Sequence, residues 1–222
     1  MAAVFRYHGS MQPWTRDFIE LARRQGALTF GRFTLKSGRE SPYFFNAGTF
    51  NDGASLDRLG RCYASAIVDA GLSIDMLFGP AYKGIPLVAA VAICLSRDHG
   101  INLPFAYDRK EAKDHGEGGQ LVGADLQGRV LIVDDVISAG TAIAHSRSLI
   151  RAVGAEPVAV AVALDRQEVG PEGISAVDAV QQSGMDVVSV ARLDDLIDWL
   201  GNDAGNAVEL EALRAYRSQY GC

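Results

Sequence analysis

Cysteine is scarce in this chain. Cys62, Cys94 and Cys222 are three in 222 residues, odd in number and far apart. Such spacing builds neither a disulfide framework nor a thiolate metal site, and it predicts a reducing compartment, the cytoplasm. Histidine is nearly as sparse, with four in all. His8, His99 and His145 read as surface residues, and no His/Cys ligand cluster is visible. The opening MAAVFRYHGS has no apolar core segment, so no signal peptide is predicted. The longest apolar run, Ile85 to Leu95, is too short to span a bilayer and starts beside Lys83 and Pro86. Positive charge is not in excess either: the formal net charge is -6, which indicates no general attraction to nucleic acid or membranes. Two nucleotide signatures are missing. Gly79 to Gly84 has the spacing of a G-x-x-x-x-G-K loop but is followed by Ile85. Gly116-Glu117-Gly118 lies in a charged stretch, follows no strand, and has Leu121 at the third glycine position.

What remains is an ordinary globular composition, 48% hydrophobic and 22% charged, in a chain long enough for one domain with a large core. PWTRDFIELARRQ (13–25) has the spacing of an amphipathic helix with Trp14, Phe18, Leu21 and Ala22 inward. FTL and YFF, within 31–48, suggest a small hairpin outside the main sheet. LDRLGRCYASAIVDAG (56–71) is a helix closed by Gly71. An alternation then begins. Strands are predicted at 74–79, 103–107, 129–134, 156–165 and 185–191, with helices at 84–98, 139–153, 193–200 and 208–220. On the helix from Ala139, residues Ala142, Ile143, Leu149, Ile150 and Val153 should share one face. Continuous apolar strands alternating with helices imply an α/β fold: a central, mostly parallel sheet flanked by helices, with a small N-terminal hood at about 12–50. One domain spanning 1–222 is expected. Residues 108–120 break the pattern, being charged, glycine-rich and poor in apolar residues, as functional or unfolded segments are.

Ligands of open parallel sheets sit beyond the carboxyl ends of the strands. Four predicted strands end in polar residues: Tyr82-Lys83 after LFGPA, Asp108-Arg109-Lys110 after LPFAY, Asp134-Asp135 after VLIV, and Asp165-Arg166 after AVAL. The third continues as Val136-Ile137-Ser138-Ala139-Gly140-Thr141-Ala142 into a helix. A loop of small residues at a helix start lets backbone N–H groups surround a phosphate. Ser138 and Thr141 add hydroxyl donors, and Gly140 permits close approach. Two carboxylates would repel a phosphate, but they suit hydroxyls or a divalent metal. A sugar phosphate with a vicinal diol satisfies both halves of the motif. Helix capping is the competing explanation for the acidic pair. The chain contains its own comparison, Asp194-Asp195, at a helix start without a small-residue loop, where capping suffices.

Val130 to Ser146 resembles the phosphoribosyl-diphosphate (PRPP) signature of type I phosphoribosyltransferases. FTLKSGRESPYFFNAG, LFGPAYKGIP, RKEAKDHGEGG and LDRQE together resemble the orotate phosphoribosyltransferase family, over about Trp14 to Tyr216. The resemblance implies transfer of ribose 5-phosphate from PRPP to orotate, giving orotidine 5′-monophosphate and diphosphate, a step of pyrimidine (UMP) biosynthesis. It implies Mg²⁺, held mainly through the PRPP diphosphate. By resemblance, Lys36, Tyr82, Lys83, Arg109, Lys110, Lys113 and His115 serve PRPP, with Asp134 and Asp135 on the ribose hydroxyls. Ser138, Ala139, Gly140 and Thr141 hold the 5′-phosphate, and Val136, Ile137 and Ala142 also bind PRPP. Lys36, Phe44, Phe45, Ser138 and Arg166 form the orotate site. The segment 108–120 resembles a catalytic lid that reaches into a partner subunit's site, so a homodimer is implied. Arg109, Lys113 and His115, with Asp134 and Asp135, are the catalytic candidates. Ser138 stands where many members have Thr, which keeps the hydroxyl. Two alternatives remain open at this point: a phosphoribosyltransferase for a purine base, and a non-catalytic PRPP-sensing regulator.

Overall fold

The computed structural model describes residues 11–35, 37–113, 119–137, 141–170 and 173–222, with backbone only at 110–113, 119 and 141. Helix starts follow local chemistry. Pro13 opens α1 (Pro13–Arg24), where its missing N–H costs nothing. This helix buries Phe18, Leu21 and Ala22 as its spacing predicts, together with Ile19 and Thr15, while Trp14 is half-buried. Thr15 is buried because its hydroxyl donates to the Val190 carbonyl at 2.7 Å. Helix α2 (Gly53–Asp69) begins at Gly53 rather than Leu56, because the Asp52 carboxylate accepts from the Ala54 and Ser55 amides, both at 2.9 Å. Helix α3 (Gly84–His99) stops at Gly100, which takes φ 68°.

Between α1 and α2 lies an antiparallel hairpin, β1 (Leu28–Thr34) and β2 (Glu40–Phe45), which forms a sheet of its own. This is the hood. The main sheet has six strands: β3 (Met76–Gly79), β4 (Phe105–Lys113), β5 (Gly119–Gly123), β6 (Arg129–Val133), β7 (Glu156–Asp165) and β8 (Asp186–Arg192). Their order is β5-β4-β3-β6-β7-β8, all pairs parallel except β4 with β5. The remaining helices are α4 (Thr141–Ala152), α5 (Ala176–Gln182), α6 (Leu193–Gly201) and α7 (Ala207–Tyr220).

Alternation along the central strands divides the core in two. Leu131 and Val133 of β6, with Ala159, Ala161 and Ala163 of β7, face the cluster built with α1, α2 and α3. Val130, Ile132, Val160 and Val162 face the opposite cluster, shared with α4 and α5. Alanines on the first face let the helices approach closely. Cys62 and Cys94 are buried in that cluster as free thiols, and Cys222 is exposed and also free.

Three sequence expectations change. The strand predicted at 103–107 starts at Phe105 and continues to Lys113, and a further strand, β5, pairs with it from Gly119. Backbone ladders need no apolar side chains, so charge and glycine content hid both. Helix α5 carries no long apolar pattern and rests on a capping box between Ser175 and Asp178. On α4, Ile143 and Ile150 are buried, but Ala142 is exposed and Val153 is 51% exposed, since the helix has ended by then. Ser146 takes the inward place, its hydroxyl closed on the Ala142 carbonyl at 3.0 Å. No helix among the described residues is long and apolar enough to cross a membrane.

Candidate active site

The strands β4, β3, β6 and β7 are neighbours, so their carboxyl ends lie side by side. Tyr82 and Lys83 follow β3, Asp108 and Arg109 lie on β4, Asp134 and Asp135 follow β6, and Arg166 follows β7. The turn after β3 is tightly drawn. A Cβ on Gly79 would overlap the Gly84 carbonyl, and one on Gly84 would meet Pro80 Cδ at 2.6 Å. Glycine at both positions lets the strand turn into α3 within a few residues, and it leaves Tyr82 64% exposed at the sheet edge.

Asp134 and Asp135 are each only 8% exposed. Their backbone still pairs with β7, through Asp134 N–H to the Ala161 carbonyl at 3.0 Å and Ala163 N–H to the Asp135 carbonyl at 2.9 Å. The buried hydroxyl of Tyr63 on α2 donates to the Asp134 carbonyl at 2.8 Å. The pair is therefore rigidly mounted. Each carboxylate caps the next amide: Asp134 Oδ1 accepts from Asp135 N–H and Asp135 Oδ1 from Val136 N–H, both at 2.9 Å. Asp135 Oδ2 meets Lys83 Nζ at 2.6 Å. Burial, reinforced by the charge of Asp135, pushes the Asp134 carboxyl up to about 7.

Asp108 is a third carboxylate of this edge, 4% exposed. Its Oδ1 accepts from the Ala81 amide at 2.5 Å, tying β4 to the turn after β3. Its Oδ2 lies 3.7 Å from Nε2 of His145, a half-exposed residue of α4. The sequence marks Asp108 only as a polar strand end and assigns it no task. Nothing in the sequence signals Tyr63, a tyrosine inside an apolar helix face.

Arg166 lies beside the hood. Its Nη2 donates to Ser41 Oγ at 3.1 Å, and its Cζ sits 4.3 Å from the centroid of the Tyr43 ring. Glu168 and Tyr216 complete its surroundings. Ser41, Tyr43, Glu168 and Tyr216 were not singled out by sequence reasoning. Phe44 and Phe45 divide as alternation requires. Phe45 is half-buried and packs against Phe18 at 5.9 Å and Phe50 at 6.5 Å. Phe44 turns to the other face, 42% exposed, stacked on Phe33 at 5.6 Å. On β2 it is thus Tyr43, the residue before the two expected at the base site, that meets Arg166.

Arg109 is half-buried on β4. The backbone of Lys110 to Lys113 continues that strand, with Lys113 opposite Gly119. Val136 and Ile137 are half-buried at the start of the small-residue loop, and α4 begins at Thr141, with Ala142 exposed. Lys36, His115, Ser138, Ala139 and Gly140, and the side chains of Lys110, Lys113 and Thr141, lie outside the described residues. His99 is exposed as expected, and His8 lies outside the described residues.

The donor set suits hard cations, since carboxylates are its anionic groups. No cluster of three or more His, Cys, Asp or Glu able to hold a metal occurs among the described residues. Mg²⁺ that arrives on substrate phosphates needs only one or two carboxylates, and Asp134 and Asp135 meet that requirement.

Comparison with known proteins agrees with this geometry. The profile of the phosphoribosyl transferase domain matches residues 48–187. Over 212 residues, 95% of this chain, it is 58% identical to the orotate phosphoribosyltransferase of Thioalkalivibrio sulfidiphilus, covering 100% of that protein. Identity to the Chromobacterium violaceum orotate phosphoribosyltransferase is also 58%, over 95% of this chain and 99% of that one. The crystal structure of the Francisella tularensis orotate phosphoribosyltransferase superimposes with a TM-score of 0.83 at 41% identity, covering 92% of this chain and 99% of the other. That of Mycobacterium tuberculosis in complex with PRPP matches at a TM-score of 0.62 and 25% identity, over 83% and 99% of the two chains. Fold, strand-end chemistry and relatives coincide, and the chain belongs to the orotate phosphoribosyltransferase family of type I phosphoribosyltransferases.

Proposed function

We propose that the chain transfers the ribose 5-phosphate group of PRPP to orotate, forming orotidine 5′-monophosphate and releasing diphosphate. The observation that carries this is the buried, rigidly mounted pair Asp134 and Asp135 at a strand end, flanked by Lys83 on one side and by the start of α4 on the other. The carboxylates would accept hydrogen bonds from the ribose hydroxyls, and the residues from Ser138 to Thr141 would hold the 5′-phosphate. Lys83, held on Asp135 without substrate, would exchange that carboxylate for the leaving diphosphate, and Tyr82 and Lys36 would also serve PRPP. Breaking the anomeric bond leaves positive character on the ribose and negative charge on the diphosphate. Fixed cations stabilise that departing charge. Mg²⁺ bound with PRPP, next to Asp134 and Asp135, would neutralise part of it.

Orotate is a planar carboxylate, and Arg166 would bind it by a two-pronged contact. Lys36, Phe44, Phe45 and Ser138 would complete that site. The charged segment 108–120 would close over the reactants and keep water from the ribose. Arg109, Lys110, Lys113 and His115 are its working residues. In this reading the enzyme is a homodimer in which Lys113 and His115 act in the partner's site.

The direct test follows orotate absorbance with PRPP and Mg²⁺. Turnover is expected, and no loss of orotate at saturating substrates would overturn the reading. The shared lid is tested by complementation. Lys113→Ala and Arg166→Ala are each expected to be nearly inactive, and mixing them should restore activity through sites that lack neither residue. A mixture no better than its components would exclude a lid that crosses subunits.

A further inference from the structure

The Arg166 guanidinium is held along one edge and open at another. Nε donates to Glu168 Oε1 at 2.6 Å, and Nη2 to Ser41 Oγ at 3.1 Å and Tyr216 Oη at 3.5 Å. Nη1 makes no hydrogen bond among the described residues. The Tyr43 ring covers one face of the group. Glu168 is itself braced. Its Oε1 also accepts from Tyr216 Oη at 2.8 Å, and its Oε2 lies 3.6 Å from Arg39 Nη1. Between the two residues stands Gln167 at φ 49°. Its side-chain amide donates to Asp194 and accepts from the Asp194 N–H, so the turn is held from α6 as well. Three parts of the fold, the hood, the turn after β7 and the C-terminal helix, thus meet on one side chain.

Holding an arginine this way has two physical consequences. A free arginine must surrender rotamer entropy when it binds a carboxylate, and a braced one has already done so. The carboxylate of Glu168 also repels an incoming anion, so the arrangement favours direction over raw attraction. What the site gains from Glu168 is therefore an acceptor at a fixed place, and its charge is incidental.

We propose that Glu168, braced by Tyr216, is a positioning residue for recognition of the substrate carboxylate: it fixes Arg166 so that Nη1, unbonded among the described residues, faces orotate. The proposal rests on the reading of Arg166 as the orotate anchor, and the experiment separates the two. Steady-state constants for both substrates would be measured for Glu168→Ala, Glu168→Gln, Tyr216→Phe, Arg166→Ala and the double variant Arg166→Ala/Glu168→Ala.

Glu168→Ala should raise the orotate KM about tenfold and leave the PRPP KM within about twofold. Glu168→Gln, which keeps an acceptor oxygen and loses the charge, should restore the orotate KM to within about threefold of the parent, and Tyr216→Phe should raise it by about threefold. In the Arg166→Ala background, Glu168→Ala should change kcat/KM for orotate no further, because its effect passes through the arginine. An unchanged orotate KM in Glu168→Ala, equal rises for both substrates, or additive losses in the double variant would overturn the proposal. Should Glu168→Ala fail to fold, Tyr216→Phe decides alone, and an unchanged orotate KM there overturns it. If Arg166→Ala itself leaves the orotate KM unaltered, it is the anchor reading that fails.

Discussion

The dipeptide Asp-Asp occurs at two strand-to-helix junctions of this protein, and the two copies do different work. Asp195, 1% exposed, accepts from the Arg192 N–H at 2.7 Å and closes the first turn of α6. Asp194 exchanges two hydrogen bonds with the Gln167 side chain and meets Arg217 at 2.8 Å. Both carboxylates are consumed by the fold. Asp134 and Asp135 are as well mounted but less well supplied. Each uses one oxygen on a neighbouring amide, and among the described residues the one cation paired with them is Lys83, whose side chain is 54% exposed. Among the described residues Asp134 Oδ2 accepts nothing. A buried carboxylate with acceptor capacity to spare is costly unless a ligand uses it. Under the proposed function, the difference between structural and functional acid lies in what is left over after the fold has taken its share.

That contrast can be broken most directly through activity. Asp134→Asn and Asp135→Asn should each lower kcat/KM by about tenfold to a hundredfold, while Asp195→Ala should leave it within about twofold, measured by orotate absorbance. Equal losses at the two junctions would erase the distinction. A second consequence concerns pH. The Asp134 carboxyl is raised from an ordinary 3.8 to about 7 in the folded chain. Between those values the folded state holds a proton that the unfolded state has released. The stability this group contributes is thus full at low pH and lost as pH rises toward 7. Asparagine carries no such loss. The Tm of Asp134→Asn should rise relative to the parent between about pH 5 and pH 8, and a flat or shrinking difference in thermal melts would refute it. The smallest effects belong to the structural pair. Asp195→Ala should cost about 1–2 kcal/mol in denaturant unfolding, as lost caps do. Arg217→Ala, which removes an exposed partner of Asp194, should cost at most about 1 kcal/mol. A reversed order would mean that α6 depends on its surface pair and not on its cap.

Legibility in the sequence follows the same division. The strands β6 and β7 and the helix α3 are written in long apolar runs, and their predicted bounds agree with the structure to within a residue at most ends. The strand ends that hold Lys83, Asp134, Asp135 and Arg166 were legible too, because polar residues directly after apolar strands stand out. The hairpin β4–β5 was not, since hydrogen-bonded backbone leaves no mark in a charged, glycine-rich stretch. The surroundings of Arg166 were equally hidden. Ser41 lies 125 residues from it in sequence and Tyr216 lies 50 away, and neither has a pattern that announces an arginine's partner.

The sequence alone therefore determined the layered α/β architecture and the gathering of polar strand ends at one sheet edge, because periodicity and strand-end polarity are local properties of the chain. Resemblance extended that to a family. Only the tertiary structure decided which acidic pair keeps an oxygen unused among the described residues, and how Glu168, Tyr216 and the hood converge on Arg166. Those outcomes depend on which distant groups arrive to satisfy a buried polar atom. Long-range packing settles that, and no short stretch of sequence contains it.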